Sequence, residues 1–172
     1  KDKREDIESA FNEAASNADV VITSGGVSVG EADFVKETLD KLGKVEFWKV
    51  AMKPGRPLAF GRVQNAAFFG LPGNPVSVMV TFYQFVQPSL RKLMGEKQTQ
   101  NITMKVRSAS KLNKRPGRME YQRGILLAND EGELEVHKTG AQGSGILSSM
   151  SQANCFIILS IDSSTIEPGE TV

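Results

Sequence analysis

Apolar residues recur at helical spacing over residues 4 to 18. Ile7, Ala10, Phe11, Ala14, Ala15 and Ala18 form one stripe with charged positions opposite, which predicts an amphipathic helix. Asp19-Val20-Val21-Ile22-Thr23 then runs apolar without alternation, predicting a short strand buried on both faces. It empties into a glycine-rich loop, Ser24-Gly25-Gly26-Val27-Ser28-Val29-Gly30. A second helix is predicted over 32–42, with Phe34, Val35, Leu39 and Leu42 inward and Gly43 as its stop. Val45 to Ala51 reads as a strand. Helix, strand, loop, helix, strand is the grammar of a parallel α/β sheet.

The pattern then shortens. Lys53-Pro54-Gly55-Arg56-Pro57 predicts a rigid turn, and the apolar runs Leu58 to Val63 and Ala66 to Leu71 predict a hairpin closed by Gln64-Asn65. Asn74 suits the N-cap and Pro75 the first position of a long helix carrying Val76, Val80, Phe82, Tyr83 and Val86. A bend is expected near Pro88 and a stop at Gly95. Beyond residue 97 no strong helical period returns. Short alternating stretches (102–106, 119–127, 134–138, 156–161) are punctuated by Asn129-Asp130-Glu131-Gly132, Pro116-Gly117 and Pro168-Gly169. They predict a small all-β domain, a partly open barrel. The domains expected are therefore 1–96 (α/β) and 97–172 (all-β), joined by a polar linker.

Composition narrows the classes. Lysine plus arginine (21) nearly balances aspartate plus glutamate (20), so no global field recruits nucleic acid or an acidic membrane. No apolar run approaches the ~20 residues of a membrane span, and the charged start KDKRED resembles no targeting peptide. One cysteine, Cys155, and one histidine, His137, exclude an intrachain disulfide framework and a zinc-type cluster. A reducing, cytoplasmic setting is the expectation. Any anion must be held by local geometry.

Two loops offer that geometry. Ser24 to Gly30 follows a strand and precedes a helix, where unpaired amides and the helix dipole favour negative charge. Gly25 and Gly26 allow close backbone approach, and Ser24 and Ser28 add hydroxyls. The loop lacks the Gly-Lys-Ser/Thr of a Walker A loop and the G-x-G-x-x-G dinucleotide spacing. By itself it reads equally as a tight strand-to-helix turn. Leu71-Pro72-Gly73-Asn74-Pro75 is a second strand end feeding a helix. If both turns face one crevice, Lys53 and Arg56 between them would complete an oxyanion or phosphate cradle. Asp33, just past the glycine loop, either caps the helix or serves a cation or a proton.

The strings TSGGVSVGEADF, KPGRPLAFG and GLPGNPVS resemble the third domain of MoeA-family proteins, including eukaryotic insertases of the gephyrin type. PGRMEYQRG, GELEV and TGAQGSGILSSMSQANCFI resemble the same family's C-terminal β-barrel. The ordered match covers nearly the whole chain. It implies part of a three-layer molybdopterin-binding α/β domain of the MoaB/Mog type with a parallel sheet, followed by the barrel. It further implies a C-terminal portion of a molybdenum insertase, an enzyme that joins molybdate to adenylylated molybdopterin and releases AMP, with magnesium as its cation. By motif, Asp33 matches the required aspartate of the GEAD segment, and the same resemblance implies that it is a magnesium ligand. Pro72 and Pro75 match two sensitive prolines, while Ser24, Gly25, Gly26, Ser28, Lys53, Arg56, Gly73, Asn74 and Ser77 would line the molybdate or pterin-phosphate pocket. A homodimer and an upstream molybdopterin adenylyltransferase follow from the same resemblance.

The chain departs from the family pattern in lacking the strand and acidic Thr-Gly-Asp-type turn expected upstream, together with two further domains. On that expectation the piece alone is inactive. Non-catalytic alternatives are a gephyrin-like scaffold and a pterin-binding module without insertion. Retention of Asp33, Lys53 and both prolines favours catalysis. Elsewhere, His137 reads as an exposed polar position, Cys155 as a buried thiol and Trp48 as a packing residue. Lys111, Lys114, Arg115 and Arg118 read as a solvated basic loop.

Overall fold

The computed structural model describes residues 4–26 and 32–172, and for 32–34 the backbone alone. The chain divides into two compact units, one of residues 1–50 and 55–87, the other of 51–54 and 88–172.

In the first unit, α1 (Arg4–Asn17), β1 (Val20–Ser24), α2 (Ala32–Leu42) and β2 (Gly43–Lys49) follow the order expected from the apolar pattern. The hairpin is β4 (Pro57–Val63) and β5 (Ala66–Leu71), and Gln64 of its two-residue turn takes a φ of 52°. The strands order β1-β5-β4-β2. The sheet is mixed: β1 and β5 run parallel, while β5–β4 and β4–β2 are antiparallel. The antiparallel part arises because β4 alone is reversed: the two residues between Val63 and Ala66 turn it directly into β5, too short a link for the crossover a parallel partner needs.

Helix α2 ends at Leu42, directly before Gly43 as expected, and Gly43 has a second role. It opens β2, where a Cβ would lie 2.0 Å from the Arg62 carbonyl oxygen of the neighbouring strand. Glycine is required there by close backbone approach. Phe11, Ala15, Val21, Leu39, Val45, Ala59, Val63, Ala66 and Phe68 form the core between the sheet and α1/α2. The opposite face carries Phe60 against Phe69, ring centroids 4.9 Å apart. β1 is not buried on both faces, because it lies at the end of the strand order and leaves Ile22 42% exposed. Trp48 is 54% exposed on β2, the other edge, so it is not a packing residue.

The long helix begins at Asn74, whose side chain accepts from the Ser77 amide, with Pro75 first in α3 (Pro75–Thr81). A π-helical turn, Phe82–Val86, separates α3 from α4 (Gln87–Leu93). Pro88 lacks an amide and its ring would press the carbonyl one turn back; the wider turn ahead of it is the local adjustment. Gly95 ends the helix, its amide on the Lys92 carbonyl at 3.0 Å and that of Glu96 on Arg91 at 3.0 Å.

The second unit is a curled sheet of short β3 (Met52–Lys53), β6 (Arg107–Ser108), β7 (Met119–Ala128), β8 (Leu134–Lys138) and β9 (Cys155–Leu159). Long β7 holds it together, pairing with β3, β8 and β9. Leu112, Val136, Ile157 and Leu159 form the core. Two expectations change here. Residues 102–106 form no strand, although Val106 and Val172 exchange backbone hydrogen bonds at 3.0 and 2.9 Å. A short helix, α5 (Ser148–Gln152), occurs where no helical period is visible, being too short to display one. Lys114 is buried, not solvated, with its ammonium on the Arg115 carbonyl at 2.8 Å. Cys155 is half-buried, and burial pushes its thiol up while a backbone hydrogen bond at Leu126 pulls it down.

Candidate functional site

Parallel pairing of β1 and β5 brings their carboxyl ends to one sheet edge, with Ser24 in register with Leu71. The turns that leave the two strands therefore adjoin. The Gly25 amide donates to the Leu71 carbonyl at 3.0 Å. Gly25 and Gly26 take φ of 87° and 70°, a region side chains resist. A Cβ built on Gly73 would sit 3.6 Å from the Gly25 Cα, in ordinary contact. Backbone thus packs on backbone with little side-chain bulk between. This architecture suits ligands, because open α/β sheets present strand ends and helix starts at such an edge.

Around this junction Ser24 is exposed, Pro72 buried, and Gly73 and Pro75 exposed. Ser77 is buried, its amide 3.4 Å from the Asn74 Oδ1. Pro72 stiffens the path between β5 and the capping Asn74, so the turn is shaped before any ligand arrives. Below it on the sheet lies an apolar cleft lined by Ile22, Leu71, Val78, Met79, Phe82 and Tyr83. Ser28 lies outside the described residues. Asp33 falls in α2, but its side chain also lies outside them.

The two expected cations fall in different units. Arg56 is an exposed residue of the first, its carbonyl accepting from the Val50 amide at 2.8 Å. Lys53 is in β3 of the second, in register with Glu120, and its ammonium lies 3.4 Å from the Glu120 Oε1. Among the described residues no group of three or more His, Cys, Asp or Glu gathers that could hold a metal ion.

Sequence reasoning missed the buried polar residues of β7. Glu120 and Gln122 share one face, with the Gln122 Nε2 on the Asn113 carbonyl at 3.0 Å. Arg123 points the other way, its Nε donating to Ser149 Oγ at 2.9 Å and its Nη2 to the Gly143 carbonyl at 3.1 Å. Burial pushes its guanidinium down from the ordinary value. Alternating polar residues within PGRMEYQRG look like a solvated strand, and no spacing signal reveals that the segment 139–149 covers one face.

Residues 1–92 match the family model described as a probable molybdopterin binding domain, and residues 105–172 match the MoeA C-terminal region (domain IV). A molybdopterin molybdenumtransferase of Haemophilus influenzae is 51% identical over 99% of this chain, which covers 43% of that relative. Gephyrin of Dictyostelium discoideum is 36% identical over 99% of the chain, 27% of its own length. A solved molybdopterin biosynthesis moeA protein of Pyrococcus horikosii superposes with a TM-score of 0.77 at 26% identity, over 99% of this chain and 40% of that one. The chain thus spans less than half the length of these relatives, yet two consecutive family regions fill it. Paired glycine turns in the first unit, a curled β-sheet in the second and these matches place the chain in the MoeA family of molybdopterin molybdenumtransferases.

Proposed function

We propose that this chain is the C-terminal portion of a molybdenum insertase, which joins molybdate to adenylylated molybdopterin and releases AMP in molybdenum cofactor biosynthesis. The observation that carries the reading is the junction of the two turns, Gly25 amide on Leu71 carbonyl, at the carboxyl ends of β1 and β5, where open α/β sheets generally hold ligands. Molybdate is a small dianion, and backbone amides, hydroxyls and lysine are the donors it needs. In this reading Ser24, Gly25, Gly26, Ser28, Pro72, Gly73, Asn74, Pro75 and Ser77 shape and line the pocket of the 1–96 domain. Lys53 and Arg56 supply positive charge to oxyanion groups of the substrates.

Catalysis is positional and electrostatic, with no covalent nucleophile. Asp33 is the acidic group of the site and the residue proposed to hold magnesium, a cation that needs only one or two carboxylates beside substrate phosphates and water. When bound, magnesium neutralises phosphate charge. The intact protein is read as a cytoplasmic homodimer supplied by a molybdopterin adenylyltransferase.

The test is calorimetric titration of the chain with molybdate, followed by assay of AMP release from adenylylated molybdopterin. Saturable binding that weakens steeply with salt supports the reading, with AMP release expected only from the full-length protein. Absence of both in the full-length protein overturns it. A gephyrin-like scaffold is the second reading, favoured by the apolar groove that Ile102, Met104, Val106, Phe156 and Ile158 line in the β unit. Loss of Asp33 would leave a scaffold's function intact.

A further inference from the structure

We propose that Glu120 is a positioning residue that holds the Lys53 ammonium ready for an oxyanion, an inference resting on the reading of Lys53 as an anion-binding side chain. Lys53 and Glu120 are opposite one another in the parallel β3–β7 pair, so their side chains leave the same face of the sheet. The Met119 amide, on the Ala51 carbonyl at 2.9 Å, fixes that register. Glu120 is also in register with Leu159, and Gln122 with Ile157. The carboxylate therefore stands on the face that carries the unit's apolar core.

A carboxylate in such a place is costly unless it is paired and hydrogen-bonded. Glu120 meets both conditions. Its Oε1 lies 3.4 Å from the Lys53 Nζ, and its Oε2 accepts from the Gln122 Nε2 at 3.4 Å. Gln122 is itself buried and tied to the Asn113 carbonyl at 3.0 Å, so the carboxylate is braced from behind.

The two partners differ in exposure: the Glu120 side chain is 8% accessible and that of Lys53 is 50%. One end of the pair is fixed and the other reaches solvent. An ammonium has three N–H donors. A single carboxylate oxygen engages it from the buried side, at a distance longer than the ~2.7–2.9 Å of a strong charge-assisted bond. Among the described residues no second partner engages it, which leaves donors for an incoming anion. The flexible lysine stem is then ordered before binding, which lowers the entropy lost when an anion arrives. A surface lysine with no such brace gains no comparable pre-ordering.

The test is a double-mutant cycle in the full-length protein, with molybdate as the titrant and insertion kinetics alongside. Glu120→Gln is expected to weaken molybdate binding about tenfold, the lower end for losing a supporting contact at an ion site, and to raise KM while kcat holds. In a Lys53→Ala background the same change should have no further effect. If Lys53→Ala leaves affinity unchanged, the anion-binding reading of Lys53 falls and this inference with it. If Lys53→Ala weakens binding while Glu120→Gln leaves it unchanged or tightens it, the positioning role alone is overturned. An equal loss from Glu120→Gln in both backgrounds also overturns it, since Glu120 would then act through the fold. Should Glu120→Gln fail to fold, Glu120→Asp replaces it in the cycle, keeping the charge but drawing it back from Lys53.

Discussion

The amide of Gly25 donates to the carbonyl of Leu71 at 3.0 Å, making one hydrogen-bonded unit of the turns that leave β1 and β5. Gly25 holds a φ of 87°, and a Cβ there would meet nothing within 4 Å. Backbone strain alone opposes a side chain. Gly25→Ala is therefore expected to cost ~1–3 kcal/mol and to weaken molybdate binding by displacing the turn's amides. Urea denaturation and calorimetry read the two effects. A stability change under ~0.5 kcal/mol, ordinary for surface positions, would show that the turn relaxes freely.

Asp33→Asn removes a charge and almost no volume. In the full-length protein it should lower AMP release by more than ~10²-fold, the scale of losing one preorganised electrostatic contact, with the melting temperature unchanged. Normal turnover at a normal melting temperature would reduce Asp33 to a helix-terminal residue.

Long periodic segments were legible in the sequence. The stripe of α1, the apolar run of β1, the hairpin and the Asn74–Pro75 helix start all follow from local pattern. Features decided by distant neighbours were not. Gly43 was legible as the end of α2, while its closeness to the Arg62 carbonyl across the sheet was not. Trp48 looks like core because tryptophan usually is, yet β2 is an edge strand. The two glycine-containing turns were legible as strand ends feeding helix starts, but their junction depends on β1 pairing with β5, which no local period encodes. Glu120 and Arg123 gave no signal, since burial of a polar strand depends on what covers it.

Gly43→Ala tests the close approach of β2 and β4. The added Cβ would sit 2.0 Å from the Arg62 oxygen and 2.9 Å from the Val63 Cα, both backbone atoms that move only with their strand. The expected loss lies at or above the upper end of the ~1–3 kcal/mol typical of overpacking. Gly145→Ala is the control, because nothing lies within 4 Å of its Cβ position. Equal denaturation midpoints for the two variants would contradict the geometry.

Alkaline pH should destabilise the β unit. Burial raises the Cys155 thiol from its ordinary 9.0 and the Tyr121 hydroxyl from its ordinary 10.0. The unfolded chain then releases these protons at lower pH than the folded one. Their contribution is fully present below the unfolded values and is lost as pH rises through the folded ones. Thermal melts between about pH 8 and pH 10 should fall more steeply for the wild type than for Cys155→Ala. Parallel curves would remove Cys155 from the account.

The burial of Arg123 yields the last expectation. The residue is 1% exposed, and its guanidinium is held by the Ser149 hydroxyl at 2.9 Å and the Gly143 carbonyl at 3.1 Å, neither of them a carboxylate. Its own backbone is clasped by the same covering segment, the amide on the Gln142 Oε1 at 2.7 Å and the carbonyl under the Thr139 amide at 3.1 Å. A guanidinium keeps its charge even where burial lowers its pKa, so each lost acceptor leaves a charged donor unmet. Ser149→Ala removes the partner of Nε, and water has little access to replace it. The cost should be ~1.5–3 kcal/mol, the range for hydrogen bonds to charged groups. Ser151→Ala, which removes an exposed hydroxyl bonded to the Ser148 carbonyl at 2.9 Å, should change stability by less than ~0.5 kcal/mol. Hydrogen exchange adds a spatial check. Protection should fall across residues 139–149 and at the Arg123 amide in Ser149→Ala alone. Unchanged protection there would mean that Gly143 and Gln142 secure the arginine without the serine.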